Sequence, residues 1–276
     1  MDFGLSLRET VEAYGLMAQK ALGQNFLLDK NITDKIVRLS LDRQGLENFS
    51  GINMVEIGPG PGGLTRSVLE QQPQSLTVVE MDKRCVAIME ALQDKTGHKM
   101  QIINQDALAT DLTELAPLPR QIISNLPYNI SVPLLVGWLK QMPQYQAMTL
   151  MFQKEVADRI TAPIKSKTYG RVSVLAQLVC KIDKLTDINP ECFVPAPKVW
   201  STVLLFRPLA QIPDADILEK VEKITALAFG QRRKMLRQSL KSIGNLDKIC
   251  EGLGIQTTKR AEELLPAEYL SLAEKI

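Results

Sequence analysis

The chain carries one histidine, His98, in 276 residues. A centre with two or three histidine ligands is therefore excluded, and a serine or cysteine triad would have to use this single imidazole. His98 sits in the polar stretch Asp94–Lys99, the setting of a solvated loop histidine. Cysteines are also few. Cys85, Cys180, Cys192 and Cys250 form no CxxC pair, so neither a zinc ribbon nor a dithiol redox motif is supported, and scattered thiols suit a reducing compartment. No metal is expected. The most apolar run, Val132–Leu139, falls far short of the ~20 residues of a membrane helix. Asp2, Arg8, Glu9 and Glu12 interrupt the N-terminal segment, which argues against a secretory signal and for a cytoplasmic protein. Aromatics make up only 5%, so any base stacking must rest on a few identifiable rings. Lys plus Arg is 33 against 31 Asp plus Glu, so a nucleic-acid surface would come from clustering and not from net charge.

What is present is ordinary globular composition, 45% hydrophobic and 23% charged, in a length that suits about two domains. Short apolar runs alternate with helical patterns. Asn53–Ile57, Leu76–Glu80, Met100–Asn104, Gln121–Asn125 and Ala147–Phe152 read as strands, and Leu64–Gln71 and Lys83–Gln93 as helices between them. That alternation predicts a parallel α/β sheet. Ser201–Phe206 reads as a late strand. Pro208 and Pro213 bracket a change: from Ile217 the apolar residues Val221, Ile224 and Leu227 keep a helical period. Short helices are expected at Lys234–Ile243, Leu246–Leu253 and Pro266–Glu274. The predicted division is 1–207, an α/β domain, and 208–276, a small helical one.

Val55-Glu-Ile-Gly-Pro-Gly-Pro-Gly-Gly63 follows a strand and precedes a helix. Gly58, Gly60 and Gly63 satisfy GxGxxG, and Glu80 ends the next strand where an acid would grip a ribose. By itself this fits a nicotinamide dinucleotide as well as S-adenosylmethionine, since both need close backbone approach and a ribose-binding acid. Glu56 just ahead of the loop, and prolines at 59 and 61 that stiffen it, favour the methyl donor. A tight turn with no ligand is the plainer alternative. Asp106 follows the third strand and could accept from an adenine amine; an N-cap or turn aspartate is its alternative role.

Asn125-Leu126-Pro127-Tyr128 ends the fourth strand and matches the tetrapeptide type of amino methyltransferases. An exocyclic adenine amine is a poor nucleophile because its lone pair is delocalised into the ring. Acceptors on its two N–H groups localise that pair, and the Asn125 side-chain oxygen and a backbone carbonyl near Leu126 can supply them. Pro127 lacks an N–H and stiffens the chain. Tyr128 offers a ring face to a flipped base. The chemistry then rests on alignment and electrostatics, as a chain with one histidine requires.

In these residues the chain resembles the small-subunit rRNA adenine dimethyltransferases. The resemblance runs from about residue 20 through Leu22-Gly-Gln-Asn-Phe-Leu27, Glu56-Ile-Gly-Pro-Gly60, Asn125-Leu-Pro-Tyr-Asn-Ile130, Gln153-Lys-Glu-Val-Ala157, Tyr169-Gly-Arg-Val-Ser173, Phe193-Val-Pro-Ala-Pro-Lys-Val199 and Phe229-Gly-Gln-Arg-Arg-Lys234. It implies a Rossmann-like, seven-stranded class I methyltransferase domain with a C-terminal all-helical domain that binds rRNA. It implies dimethylation of two adjacent adenosines near the 3′ end of 16S rRNA in an immature small subunit. It implies that Asn25 and Leu27 close over the donor, that Gly58 and Gly60 in their loop hold its methionine end, that Glu80 binds the ribose and Asp106 the adenine, and that Asn125 contacts both the donor and the target amine. It also places a base-contacting aromatic at Phe193, for which a core phenylalanine beneath a proline turn is the alternative. The stretch Gln231–Ile243 carries Arg232, Arg233, Lys234, Arg237 and Lys241 and no acid. Arg233, Arg237 and Lys241 recur every four residues, so a basic helix face against RNA is expected, the alternative being a solvated face. A monomer is expected. Two competing functions remain: a non-catalytic assembly factor, and a resistance enzyme acting on large-subunit rRNA; a dehydrogenase is more distant. The stretch before Lys20 is longer than the resemblance accounts for and has no assigned role.

Overall fold

A computed structural model describes residues 3–16 and 24–276. The helices are α1 (Leu7–Ala13), α2 (Lys30–Gln44), α3 (Gly63–Leu69), α4 (Lys83–Thr96), α5 (Leu112–Leu115), α6 (Ser131–Lys140), α7 (Lys154–Ile160), α8 (Arg171–Val179), α9 (Ala215–Gly230), α10 (Leu236–Ser239), α11 (Leu246–Gly252) and α12 (Pro266–Lys275). The strands are β1 (Phe26–Leu27), β2 (Asn53–Ile57), β3 (Ser75–Val79), β4 (Met100–Ile103), β5 (Arg120–Asn125), β6 (Ala147–Gln153), β7 (Cys180–Ile188), β8 (Phe193–Val194) and β9 (Ser201–Pro208). Leu22 and Gly23 of the first shared motif lie outside the described residues.

Seven strands form one sheet in the order β4-β3-β2-β5-β6-β9-β7. β2 pairs in parallel with β3 and β5, β4 with β3 and β6 with β5. β2 is buried at all five positions, as a strand covered on both faces must be. The sheet is mixed, not wholly parallel as the strand–helix alternation suggests: β9 runs antiparallel to β6, with Gln153 opposite Ser201 and Met151 opposite Val203. β7 has no counterpart in the sequence reading. Its half-exposed, charge-bearing pattern belongs to an edge strand and lacks the apolar run that marks the centre. β1 and β8 form a separate antiparallel ribbon, Phe26 opposite Val194 and Leu27 opposite Phe193, too short for any periodicity to show.

Local signals set the helices that flank the ligand edge. Asp29 caps α2 by accepting from Asn31 N, and Gly45 ends it in the left-handed region at φ 70°. Asp82 caps α4 through Arg84 N, and Gly97 closes it at φ 68°.

The chain divides into two compact units: 1–135, 144–154 and 183–207 in one, and 136–143, 155–182 and 208–276 in the other. A cut falls after Arg207, but the second unit also draws in two earlier segments, so neither is one continuous stretch. In the first unit a core cluster runs from Leu16 and Phe26 through Met54, Val78 and Met89 to Phe193 and Val203. In the second, α9 packs on α8 and α12, and Phe229 lies with its ring 5.9 Å from Tyr169 and 6.0 Å from Tyr269.

The expected helix Lys234–Ile243 is only the single turn α10. Met235 is extended and bridges antiparallel to Arg260, while Leu236 N and Arg237 N donate to Lys259 O and Thr257 O. This pairing holds the segment as a turn, so Arg233, Arg237 and Lys241 do not lie on one helix face.

Candidate active site

The carboxyl edge of β2, β3 and β5 opens into a cavity of about 280 Å³ in the first unit, near the ~300 Å³ at which ligand clefts begin. Asn25, Leu27, Gly58, Gly60, Glu80, Asp106 and Asn125–Tyr128 all line it. These residues lie far apart in the chain, and the strand ends bring them together.

The glycine loop is the first wall. Gly60 adopts φ 56°, and a Cβ there would stand 3.0 Å from the Phe26 ring. Gly63 opens α3 with the Leu27 carbonyl oxygen 2.5 Å from where a Cβ would be, so no side chain fits without moving backbone. The loop thus seats β1 and its pocket residue Leu27 directly on the start of α3.

Glu80 just past β3 is the second wall. Its Oε2 accepts from Gly60 N at 3.3 Å and its Oε1 from Asp82 N at 2.8 Å. Burial pushes its carboxyl above the ordinary range, against those backbone donors. Glu56 also lines the cavity and is buried, with one donor, the Thr65 hydroxyl at 2.7 Å. Desolvation, aided by the negative field of Glu80, raises its carboxyl to about 8. Asp82 behaves oppositely. Arg84 at 2.6 Å holds it down at about 2, and it accepts from Gln24 Nε2 at 3.0 Å, tying the segment before β1 to the start of α4.

Asp106 takes the capping role with one of its two oxygens. Its Oδ1 caps the short 3₁₀ turn Ala107–Ala109 through Leu108 N at 2.9 Å. Its Oδ2 has no protein partner among the described residues, and the residue lines the cavity.

The tetrapeptide forms the floor. Ser124 Oγ donates to Ile57 O at 2.6 Å and locks β5 against β2 just before it. Asn125 Nδ2 donates to Asn25 O at 3.1 Å, so the donor half of the amide is used and Oδ1 has no partner among the described residues. Of the carbonyls that follow, Pro127 O accepts from Ile130 N at 3.1 Å and Tyr128 O from Ser131 Oγ at 3.0 Å. Leu126 O has no partner among the described residues. Among the described residues, two acceptors on successive cavity-lining residues are therefore without a partner. The Tyr128 hydroxyl shares a 2.6 Å hydrogen bond with Ser201 Oγ, and burial raises its pKa.

Other expected site residues lie elsewhere. Phe193 is 2% exposed, belongs to the core cluster and does not line the cavity; its pairing with Leu27 in the β1–β8 ribbon turns the ring inward. Arg232 is engaged within the second unit: Nη2 donates to Ser166 O at 2.9 Å, Nε stands 3.4 Å from Glu262, and the guanidinium lies over the Phe229 ring at 6.0 Å. Arg233, Lys234 and Arg237 are exposed. The sequence reading missed Gln24, Ile57, Val79, Met81 and Gln105 in the cavity wall. Position beside a recognised motif residue was the only signal for most of them.

No group of three or more His, Cys, Asp or Glu among the described residues could hold a metal ion, and no described helix is long and apolar enough to cross a membrane.

Comparison with known proteins places this geometry. The model of the ribosomal RNA adenine dimethylase family matches residues 15–276. A ribosomal RNA small subunit methyltransferase A from Gluconobacter oxydans is 47% identical over 269 residues, covering 98% of this chain and 86% of that protein. One from Bartonella bacilliformis is 47% identical over 275 residues, covering 97% and 96%. Among solved structures, a dimethyladenosine transferase from Plasmodium falciparum superposes with TM-score 0.72 at 23% identity, over 88% of this chain and 94% of that one. The 23S rRNA methyltransferase ErmE gives 0.65 at 23% identity, over 91% and 99%. Those two likenesses speak for the fold, which is the Rossmann-like class I methyltransferase fold. The match across nearly the whole sequence, with relatives close to half identical, makes this chain a member of the ribosomal RNA adenine dimethylase family.

Proposed function

We propose that the protein dimethylates the N6 amines of two adjacent adenosines in the 3′-terminal hairpin loop of 16S rRNA, on an immature small ribosomal subunit in the cytoplasm, with S-adenosylmethionine as methyl donor. The observation that carries the reading is the pair of unpaired acceptors, Asn125 Oδ1 and Leu126 O, on residues that line one cavity with Glu80 and Asp106. A primary aromatic amine has two N–H groups, and these two acceptors match them.

The residues present fit the donor. Glu80 keeps a buried carboxylate beside the backbone of Gly60, suited to a vicinal diol. Asp106 Oδ2 is available to an adenine amine. The glycine loop admits a ligand to the backbone because no Cβ intervenes at Gly58 and Gly60. When bound, the donor supplies a methyl carbon already activated by its sulfonium.

The chain's own residues then do three things. Asn125 Oδ1 and Leu126 O accept from the target amine and draw its nitrogen toward a tetrahedral form, so the lone pair is aimed and not delocalised. The Pro127 ring disfavours a helical conformation at Leu126 and so keeps that carbonyl from turning into a helical bond. Tyr128, held by Ser201, fixes the plane in which a flipped base lies. Arg233, Lys234 and Arg237 of the second unit supply phosphate contacts. The protein acts as a monomer.

The test is transfer of label from S-adenosylmethionine to purified, undermethylated small subunits, with large subunits and free rRNA in parallel. Label in N6,N6-dimethyladenosine from small subunits alone is expected. Label on large subunits would make this a resistance-type enzyme. No label with the donor still bound would leave an assembly factor.

A further inference from the structure

The family motif around Phe193 offers an aromatic that the structure buries. A few residues on, it exposes another. Trp200 is 47% exposed, whereas the only other tryptophan, Trp138, is 5% exposed. Among the described residues the Trp200 ring meets no other ring and its indole N–H donates to nothing. A bare indole is an expensive surface to leave in water, and its place in the fold is specific.

Trp200 immediately precedes β9. Asn125 pairs with Met151, Met151 with Val203, and Gln153 with Ser201. β9 therefore begins at the same edge where the tetrapeptide lies, and Trp200 stands about 10 Å beyond the level of Asn125 at ~3.3 Å per residue. The backbone there is fixed. Lys154 N donates to Trp200 O at 2.8 Å, and the neighbouring Ser201 is buried and bonded to the Tyr128 hydroxyl. The segment Val194–Trp200 contains one lysine and no acid. Lys198 is exposed and has no ion-pair partner among the described residues. An apolar strip with Val194 and Val199 also exposed could suit a protein surface, but a rigid indole beside a lone cation suits an unpaired base on its phosphate backbone better.

We infer that Trp200 is a stacking platform for the base of the nucleotide adjacent to the target adenosine, with Lys198 against its phosphate. The inference rests on the rRNA reading above and assigns the neighbouring nucleotide a site of its own. Since the two target adenosines are adjacent, the indole holds one while the other occupies the cavity.

The test is steady-state methylation of undermethylated small subunits by the wild type and by Trp200→Ala, Trp200→Phe and Trp200→Leu, with donor affinity and melting temperature measured on each. Removing one base–aromatic stack lowers affinity by about 5- to 150-fold. Trp200→Ala should therefore raise KM for subunits by about fivefold or more and leave donor affinity and melting unchanged. Trp200→Phe should recover most of the loss and Trp200→Leu should not. A wild-type KM in Trp200→Ala overturns the inference. Equal rescue by Leu and Phe overturns it too, in favour of an apolar contact with a subunit protein. A wild type that leaves small subunits unlabelled overturns the rRNA reading itself, and is seen before any variant is compared.

Discussion

Asn125 at the end of β5 donates its side-chain amide to the backbone carbonyl of Asn25, 100 residues earlier in the chain. A planar amide with its nitrogen tied cannot flip without losing that bond, so Oδ1 stays the acceptor at the cavity. The same bond ties the segment before β1 to the tetrapeptide, so under the proposed function donor enclosure and target alignment would share one contact.

Asn125→Ala removes one positioned acceptor at the reacting amine, and the loss belongs in kcat. A fall of about 10²-fold is expected from the cost of deleting one preorganised hydrogen-bonding group. Asn125→Asp should be nearly as slow, because a carboxylate placed against Asn25 O repels it. Single-turnover methylation, with donor affinity measured separately, checks both. Full activity in Asn125→Ala would remove the assigned role.

Glu56 makes stability fall with rising pH. Its carboxyl titrates near 8 in the folded protein and at the ordinary 4.5 once the chain unfolds. Between those values the folded state keeps a proton that the unfolded state has released, so unfolding is favoured as pH rises. At ~1.4 kcal/mol per unit the effect reaches several kcal/mol by pH 8. Glu56→Gln keeps the shape and cannot ionise. Chemical denaturation from pH 5 to 8 should show a steep loss of stability in the wild type and a flatter profile in Glu56→Gln. Parallel profiles would mean that Glu56 does not hold the proton.

These features were unequally legible in the sequence. β2 reads as Asn53–Ile57 because Met54, Val55 and Ile57 make a short apolar stretch that ends at glycines, as a strand buried on both faces does. The cavity residues were legible where chemistry limits the choice of residue: glycine at a positive φ, an acid after β3, and a proline-stiffened tetrapeptide after β5. The inward turn of Phe193 was not, because it depends on pairing with β1, far away in sequence. Nor was the bridge of Met235 to Arg260 that leaves α10 a single turn. Periodicity reports local contacts only, and both of these are long-range.

Gly63 tests the seating of β1 on α3. Gly63→Ala places a methyl 2.5 Å from the Leu27 carbonyl oxygen, and backbone has to shift to admit it. A loss of about 1–3 kcal/mol is expected for such overpacking, together with weaker donor binding, since Leu27 lines the cavity. Thermal melting and donor titration check the two effects. Unchanged donor affinity with lowered melting would separate the seating from the site.

Arg66 gives the N-terminal stretch a place. From α3 its Nη1 donates to Leu5 O at 2.7 Å and its Nη2 to Thr10 Oγ1 at 3.1 Å, and its guanidinium lies 5.5 Å from the centre of the Phe3 ring. Leu7 and Leu16 are buried beneath. Arg66→Ala should release α1 at a cost of about 2–3 kcal/mol for two charge-assisted bonds and the packing. Hydrogen exchange should then rise sharply in α1 and little in β2. Equal protection of α1 in the variant would show that the buried leucines hold it unaided.

The basic residues of the second unit separate into two kinds by their partners. Arg232 is spent on Ser166, Glu262 and Phe229, so Arg232→Ala should lower the stability of that unit. Arg233, Lys234 and Arg237 are exposed, and replacing all three with alanine should leave melting unchanged. If each neutralises one phosphate, removing it lowers the slope of log KM for subunits against log salt by roughly 0.7–0.9, and the triple variant by roughly 2–3. Donor affinity should be the same in wild type and variant, because every lining residue of the donor cavity lies in the first unit. A triple variant with the wild-type salt slope would show that the basic run is a solvated face and that the phosphates are held elsewhere.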